Sequence, residues 1–202
     1  MSLQIGVRMS RQKSSSKSLQ VALVLVGLSG AAMAQIRPTE IHDRISQASG
    51  VTNQVALTLD ACSGAFDEDL ILFLIRNRIP ATLFATKKWL DKNPRGLAIL
   101  KANLDLFDVE DHGENHIPAV IGTGRKVFGI AGFSVNADAG ASLKRAQVLQ
   151  RLRQVRAGDV IIAHMNKPAG DTAEGMSDGL MELLRRGLVF VRLDQVNLVD
   201  VK

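Results

Sequence analysis

The sequence predicts an α/β fold built on parallel strands. Short apolar runs rich in β-branched residues alternate with stretches patterned at helical spacing: Val55 to Leu59, Ala81 to Thr86, Leu106 to Asp111, Asp159 to Ala163 and Leu188 to Leu193. Three of these runs end in residues able to bind a metal or move a proton: Asp60 behind the first, His112 and then His116 behind the third, and His164 behind the fourth. In parallel α/β folds chemistry collects at the carboxyl ends of the strands. The chain has four histidines, and three of them fall at such ends, which points to an enzyme. Strands alternating with helices imply right-handed βα units, in an open sheet or a barrel.

The first 34 residues read as a segment apart from the fold. Arg8, Arg11, Lys13 and Lys17 make a positive region, Leu19 to Leu28 is apolar, and Ala32-Met33-Ala34 gives the small-x-small pattern of a signal-peptidase site. The expectation is therefore an exported protein, periplasmic or extracellular, whose mature chain starts at Gln35. An uncleaved membrane anchor is the alternative, but the apolar stretch falls well short of the roughly 20 residues that span a bilayer. Without residues 1–34 the net charge drops from +5 to about +1, so the high pI of the whole chain gives no support to nucleic-acid binding. Cys62 is the only cysteine, so no internal disulfide forms and the core must hold the fold.

Residues 35–52 read as a polar lead-in, with His42 at the surface, and residues 53–202 as the folded domain. Acids at Asp67-Glu68-Asp69 suit a helix start, with Phe66, Leu70, Phe73 and Leu74 as its apolar face, and Asn77 to Pro80 end it. A short helical stretch follows over Lys87 to Lys92, and another after Pro94 turns Leu97 and Leu100 inward. Ser142 is the expected cap of a helix carrying Val148, Leu149, Leu152 and Val155, closed by Gly158. Asp171 with Glu174 forms a capping pattern for a helix with Met176, Leu180, Leu183 and Leu184, ended by Gly187.

His112-Gly113-Glu114-Asn115-His116 sets two imidazoles four residues apart, on one side of a helical turn, where both reach one ion. A catalytic zinc needs about three protein ligands and an open position for water, and two histidines with a carboxylate meet that need. Here the sequence resembles the polysaccharide deacetylases of the NodB homology type, carbohydrate esterase family four. Thr58-Leu59-Asp60-Ala61-Cys62-Ser63-Gly64 is similar to the family's first motif, His112 to His116 to its zinc-binding second motif, and Ile161-Ile162-Ala163-His164 to its last. Asn136-Ala137-Asp138-Ala139-Gly140 stands where the family carries an aspartate that orients the final histidine. The resemblance covers about residues 52–195.

The resemblance implies an irregular (β/α) barrel and metal-assisted removal of N-acetyl groups from a polysaccharide such as peptidoglycan or an exopolysaccharide. Zinc, or another divalent metal, is then held by His112, His116 and Asp60. Asp60 takes a proton from water, and His164, steadied by Asp138, gives one to the departing sugar amine. The chain departs from the family at two places. Ala61 replaces the second acid of the first motif, leaving the third ligand unassigned, with Cys62 a conceivable soft ligand but expected rather to pack beside the strand. Between His116 and Asp138 the family's Arg-x-Pro motif is missing, as though a unit had been removed. About five βα units at about 30 residues each fit after residue 52, so the expected barrel is incomplete. A catalytically impaired remnant that binds zinc or glycan is the alternative reading, and another zinc amidohydrolase a further one. Trp89 lies on a helix between a lysine and Leu90, where packing is expected over sugar stacking. The low aromatic content, 4%, disfavours a dedicated glycan-binding module.

Overall fold

The run Gln54–Ala61 forms the central strand of the protein, seven of its eight residues buried. A computed structural model describes residues 43–46, 52–112 and 133–200. The proposed export segment, His42, Glu114, His116 and most of the interval lacking Arg-x-Pro lie outside the described residues. In chain order the elements are β1 (Asp43–Ile45), β2 (Gln54–Ala61), α1 (Glu68–Arg76), β3 (Ala81–Ala85), α2 (Lys87–Lys92) and α3 (Pro94–Lys101). They continue with β4 (Phe107–Asp111), β5 (Val135–Asn136), α4 (Arg145–Leu152), β6 (Val160–His164), α5 (Thr172–Arg185), β7 (Val189–Val191) and β8 (Leu198–Asp200), with a 3-10 turn at Leu193–Gln195.

The main sheet runs β4-β3-β2-β6-β5 with every neighbour parallel. β7 pairs with the first residues of β2. Ala56 is the partner of Val160 on β6 and of Val191 on β7, so β7 lies on the edge of β2 that β3 takes up from Thr58 onward. Just after β7, the Leu193 amide donates to the Thr82 hydroxyl of β3 at 2.9 Å, joining the two strands that share this edge.

Alternation along β2 sorts its side chains into two environments. Val55, Leu57, Leu59 and Ala61 face the helices and share a core with Leu70, Leu74, Trp89, Leu180 and Leu183. Burying each such leucine contributes about 1.5–3 kcal/mol. Ala56 faces the other way, into a smaller cluster with Ile45, Phe84, Val160, Val191 and Leu193. Thr58 and Asp60 follow Ala56 on that second, inner face. Among the described residues no pairing joins β4 to β5. Register places Asp108 beside Thr82 and Glu110 beside Phe84 on the inner face of β4.

Helix starts follow local chemistry. Asp67 accepts the Leu70 amide at 3.1 Å and opens α1, as the acidic run predicts. Thr86 accepts the Trp89 amide at 3.1 Å to open α2, and Pro94 is the first residue of α3, where Leu100 is buried and Leu97 only partly so. Two expected caps are different in the structure. Ser142 does not cap α4: its hydroxyl donates to the Ala139 carbonyl at 2.7 Å, and the helix starts at Arg145 behind Lys144. Asp171 makes no cap bond to its own helix and instead accepts the Arg145 amide at 3.3 Å, tying α5 to α4. The α4–α5 crossing is close because Gly179 has no side chain: a Cβ there meets Leu152 Cδ1 at 2.2 Å.

Three strands escape the sequence reading. β1 lies within the stretch read as a polar lead-in and pairs antiparallel with β8, and β5 occupies Val135-Asn136. At the amino-terminal end of the sheet, Asp159 draws these parts together, receiving Arg44 at 2.9 Å and the Ser134 hydroxyl at 2.8 Å.

Candidate active site

Register delivers the site. Asp60 is the Cα partner of His164 on one side and of Phe84 on the other, at the carboxyl ends of β2, β6 and β3. His112 follows β4, its amide donating to the Ala85 carbonyl at 3.1 Å, and its ring lies 6.2 Å from that of Phe84. Its Nε2 is 3.5 Å from Asp60 Oδ2, both side chains about one-tenth exposed at 10% and 11%. The structure thus brings Asp60, His112, Asp138 and His164 to one end of the sheet; His116 falls outside the described residues.

Asp138 reaches His164 from the turn after β5. Asn136 Oδ1 accepts the Ala139 amide three residues on at 2.8 Å, and Arg151 of α4 braces the turn through the Asn136 carbonyl at 2.7 Å. Ala139, Gly140 and Ala141 all take positive φ, at 49°, 74° and 55°. For the two alanines this is strain of order 1–3 kcal/mol each, held by the surrounding bonds. The fully buried Asp138 carboxylate spends both oxygens on the site: Oδ1 lies 2.9 Å from His164 Nδ1, and Oδ2 accepts the His164 amide at 2.8 Å and the Thr172 hydroxyl at 3.3 Å. A carboxylate on Nδ1 fixes the ring orientation and leaves Nε2 to face the reacting groups.

The electrostatics set the two acid–base groups apart from ordinary ones. Burial pushes the Asp60 carboxyl up to about 6, partly offset by the His164 charge, with Asp138 adding to the rise. For His164 burial pulls the imidazole down, but the hydrogen bond and charge of Asp138, with the charge of Asp60, outweigh it, so the net shift is upward. A carboxyl near neutrality and an imidazole held toward its charged form make a base and an acid.

Cys62 completes the neighbourhood. Its sulfur, one Asp60 oxygen and one His112 nitrogen all lie within 4.8 Å of one another. The expectation that this thiol simply packs beside the strand is therefore revised: Cys62 is half-buried and turned toward the acid and the imidazole. Burial and then the Asp60 charge push its thiol up to about 11. Oxygen, sulfur and nitrogen donors in one small cluster suit a zinc-type ion, so the residues present fit the metal that the sequence implies. The strand end is fixed from both sides. Thr86 donates its hydroxyl to the Cys62 carbonyl at 2.7 Å, and Gly64, at φ 96°, runs so close to the segment that follows β6 that a Cβ there meets the Asn166 carbonyl oxygen at 2.3 Å. Trp89 is fully buried, its ring 6.1 Å from that of Phe66, and is a packing residue.

A parallel α/β sheet thus carries an Asp–His pair and an Asp–Cys–His cluster at the carboxyl ends of its strands, where chemistry collects in such folds. No family model matches the sequence, and no curated protein matches it. Solved structures do. A peptidoglycan N-acetylglucosamine deacetylase aligns with a TM-score of 0.60 at 16% identity, over 75% of this chain and 90% of its own. A family four carbohydrate esterase pseudoenzyme of Bacillus anthracis aligns with a TM-score of 0.57 at 18% identity, over 80% of this chain and 69% of its own. PdaA of Bacillus subtilis, a family four carbohydrate esterase, gives 0.56 at 14%, over 72% and 80%. The fold is similar to that of these carbohydrate esterase family four structures, in line with the resemblance in the sequence.

Proposed function

We propose that the chain is an exported, zinc-dependent hydrolase that removes N-acetyl groups from a polysaccharide such as peptidoglycan or an exopolysaccharide. One observation carries the reading: Asp60 and His164 are register partners, with His112 3.5 Å from Asp60 and Asp138 2.9 Å from His164. Amide hydrolysis needs a base for the attacking water and an acid for the leaving amine, on opposite sides of the scissile bond. Asp60 takes the proton from water, its carboxylate having an oxygen to spare beside the one that faces His112. His164 donates through Nε2 while Asp138 stabilises its charge and keeps its orientation. A divalent metal, with Asp60 and His112 among its ligands, supplies when bound the polarisation of the acetamide carbonyl and the acidity of water. In this reading His116 is a further ligand, and residues 1–34 are the export signal removed before Gln35.

The test is acetate release by the purified chain from N-acetylglucosamine oligomers and from peptidoglycan, with and without a chelator. Chelator-sensitive release that Asp60→Asn abolishes supports the hydrolase. The fold neighbour described as a pseudoenzyme and the alanine at Ala61 favour a second reading, a non-catalytic zinc- or glycan-binding protein. No release from a folded, metal-loaded chain, with glycan binding kept in Asp60→Asn, supports that instead. The mature amino terminus, read by mass spectrometry of exported protein, tests cleavage after Ala34.

A further inference from the structure

We propose that Cys62, as a thiolate, is a protein ligand of the metal centre, replacing the carboxylate that position 61 lacks and making the site a mixed oxygen, sulfur and nitrogen centre with Asp60 and His112. The inference rests on the metal-dependent reading above and goes beyond it by assigning a ligand and a metal class.

Strand geometry carries the argument. Side chains along β2 alternate, and Ala61, with Leu59 and Leu57, belongs to the face buried against the helices. Asp60 stands on the opposite face, and position 61 is committed to the core, where Ala61 is paired in register with the buried Ala85. Cys62 is the first residue past the strand, and its sulfur lies within 4.8 Å of Asp60 and His112, so position 62 has the access to the site that position 61 lacks. The sulfur, an Asp60 oxygen and a His112 nitrogen within 4.8 Å of one another span the edges of one coordination polyhedron, since ligand atoms about 2.0–2.3 Å from a tetrahedral zinc stand roughly 3.3–3.8 Å apart. Small closing movements of side chains suffice. Two backbone anchors keep the cysteine there: the Thr86 hydroxyl on the Cys62 carbonyl at 2.7 Å, and the close passage of Gly64 over Asn166.

The chemistry balances as a proton-for-metal exchange. The thiol loses its proton to solvent, and the sulfur lone pair forms the new bond to the divalent ion; nothing is oxidised or reduced. A thiolate in the donor set shifts selectivity toward zinc and cobalt and away from magnesium and manganese, which favour all-oxygen sites.

The experiment is a cobalt(II) titration of the metal-free purified chain, wild type and Cys62→Ser, with folding of both checked by circular dichroism. A thiolate-to-cobalt charge-transfer band in the near ultraviolet at one equivalent, absent from Cys62→Ser, is expected. The serine variant should bind more than about 100-fold more weakly, because loss of even an outer partner of a ligand costs about 10- to 100-fold. Since Cys62 is the only cysteine, its alkylation by iodoacetamide is a second readout, expected to slow by at least about tenfold once cobalt is bound. Cobalt binding with visible ligand-field bands but no near-ultraviolet band, and an unchanged alkylation rate, overturns the thiolate ligand and leaves the metal-dependent reading standing. No cobalt binding by folded wild type overturns both.

Discussion

Asp60 and His164 are direct Cα partners on adjacent parallel strands, so the two groups proposed as base and acid are set by sheet register rather than by loops. A shift of one residue in either strand turns the side chain to the other face of the sheet. The same pairing explains their mutual influence: the charge of His164 draws the Asp60 pKa down, and the charge of Asp60 draws that of His164 up. For Asp60 burial still wins, whereas for His164 the penalty of burial is overcome with the help of Asp138.

Replacing Asp138 with Asn separates that help from structure. The amide oxygen of Asn still accepts the His164 amide, which Asp138 takes at 2.8 Å, so the fold should survive. The negative charge beside Nδ1 is gone, and the His164 pKa should fall. An NMR titration of the imidazole C2 proton in Asp138→Asn measures the change directly, with a turnover loss of about 10²- to 10⁴-fold expected beside it. An unmoved His164 titration would show that Asp138 does not act through the ring.

The Asp60 carboxyl makes the metal-free protein less stable at neutral pH than in mild acid. Its pKa rises from 3.8 in an ordinary aspartate to about 6 in the folded chain, chiefly by burial. A group whose folded pKa is raised contributes stability that is fully present below about 4 and lost as pH climbs through about 6. The shift corresponds to about 3 kcal/mol of stability lost across that window. Urea unfolding in a chelator should show the wild type weaker at pH 7.5 than at pH 4 by about this amount, beyond whatever other groups contribute. Asp60→Asn should remove that part of the slope. Equal pH dependence in both proteins counts against a buried, charge-penalised Asp60.

Trp89 gives a cleaner separation of packing from sugar recognition. It is the only tryptophan and is fully buried against Phe66. Its emission should be blue-shifted in the folded chain and insensitive to added N-acetylglucosamine oligomers. Trp89→Phe should lower stability by about 1–3 kcal/mol, as core truncations do, and leave KM unchanged. A raised KM with unchanged stability would place the ring at the sugar instead.

The central strands and most helices were legible because their periodicities are strong and their caps local: the apolar run of β2, the acids before α1 and Pro94 at the start of α3 each specify their own element. β1, β5 and β8 were not, because strands of two or three residues carry too little pattern, and β1 and β8 exist through each other. The Ser142 and Asp171 caps were misread because each side chain has a better partner: the Ala139 carbonyl for one, the Arg145 amide on another helix for the other. At the site, strand-end placement and motif spacing flagged Asp60, His112 and His164. Cys62 is hard to read from the sequence because the sequence points to a missing carboxylate at position 61, while only the folded chain shows that Ala61 turns into the core and that the bend after β2 brings the Cys62 sulfur to Asp60 and His112.

Gly64 tests whether the strand end must be held to within a fraction of an ångström. Its φ of 96° disfavours any side chain, and a Cβ would stand 2.3 Å from the backbone oxygen of Asn166, two residues after His164. Gly140 has a similar φ of 74° but open space around it, so Gly140→Ala carries the conformational penalty alone, about 1–2 kcal/mol. Gly64→Ala must add to that the displacement of one backbone from another, and a total loss of at least about 3 kcal/mol is expected in denaturant unfolding. Because the clash pushes apart the segments that follow Asp60 and His164, a folded fraction of Gly64→Ala should also lose acetate release and bind cobalt(II) more weakly. Equal stability losses in the two glycine variants would mean that the approach of these segments tolerates a methyl group, and that alignment of the site does not depend on it.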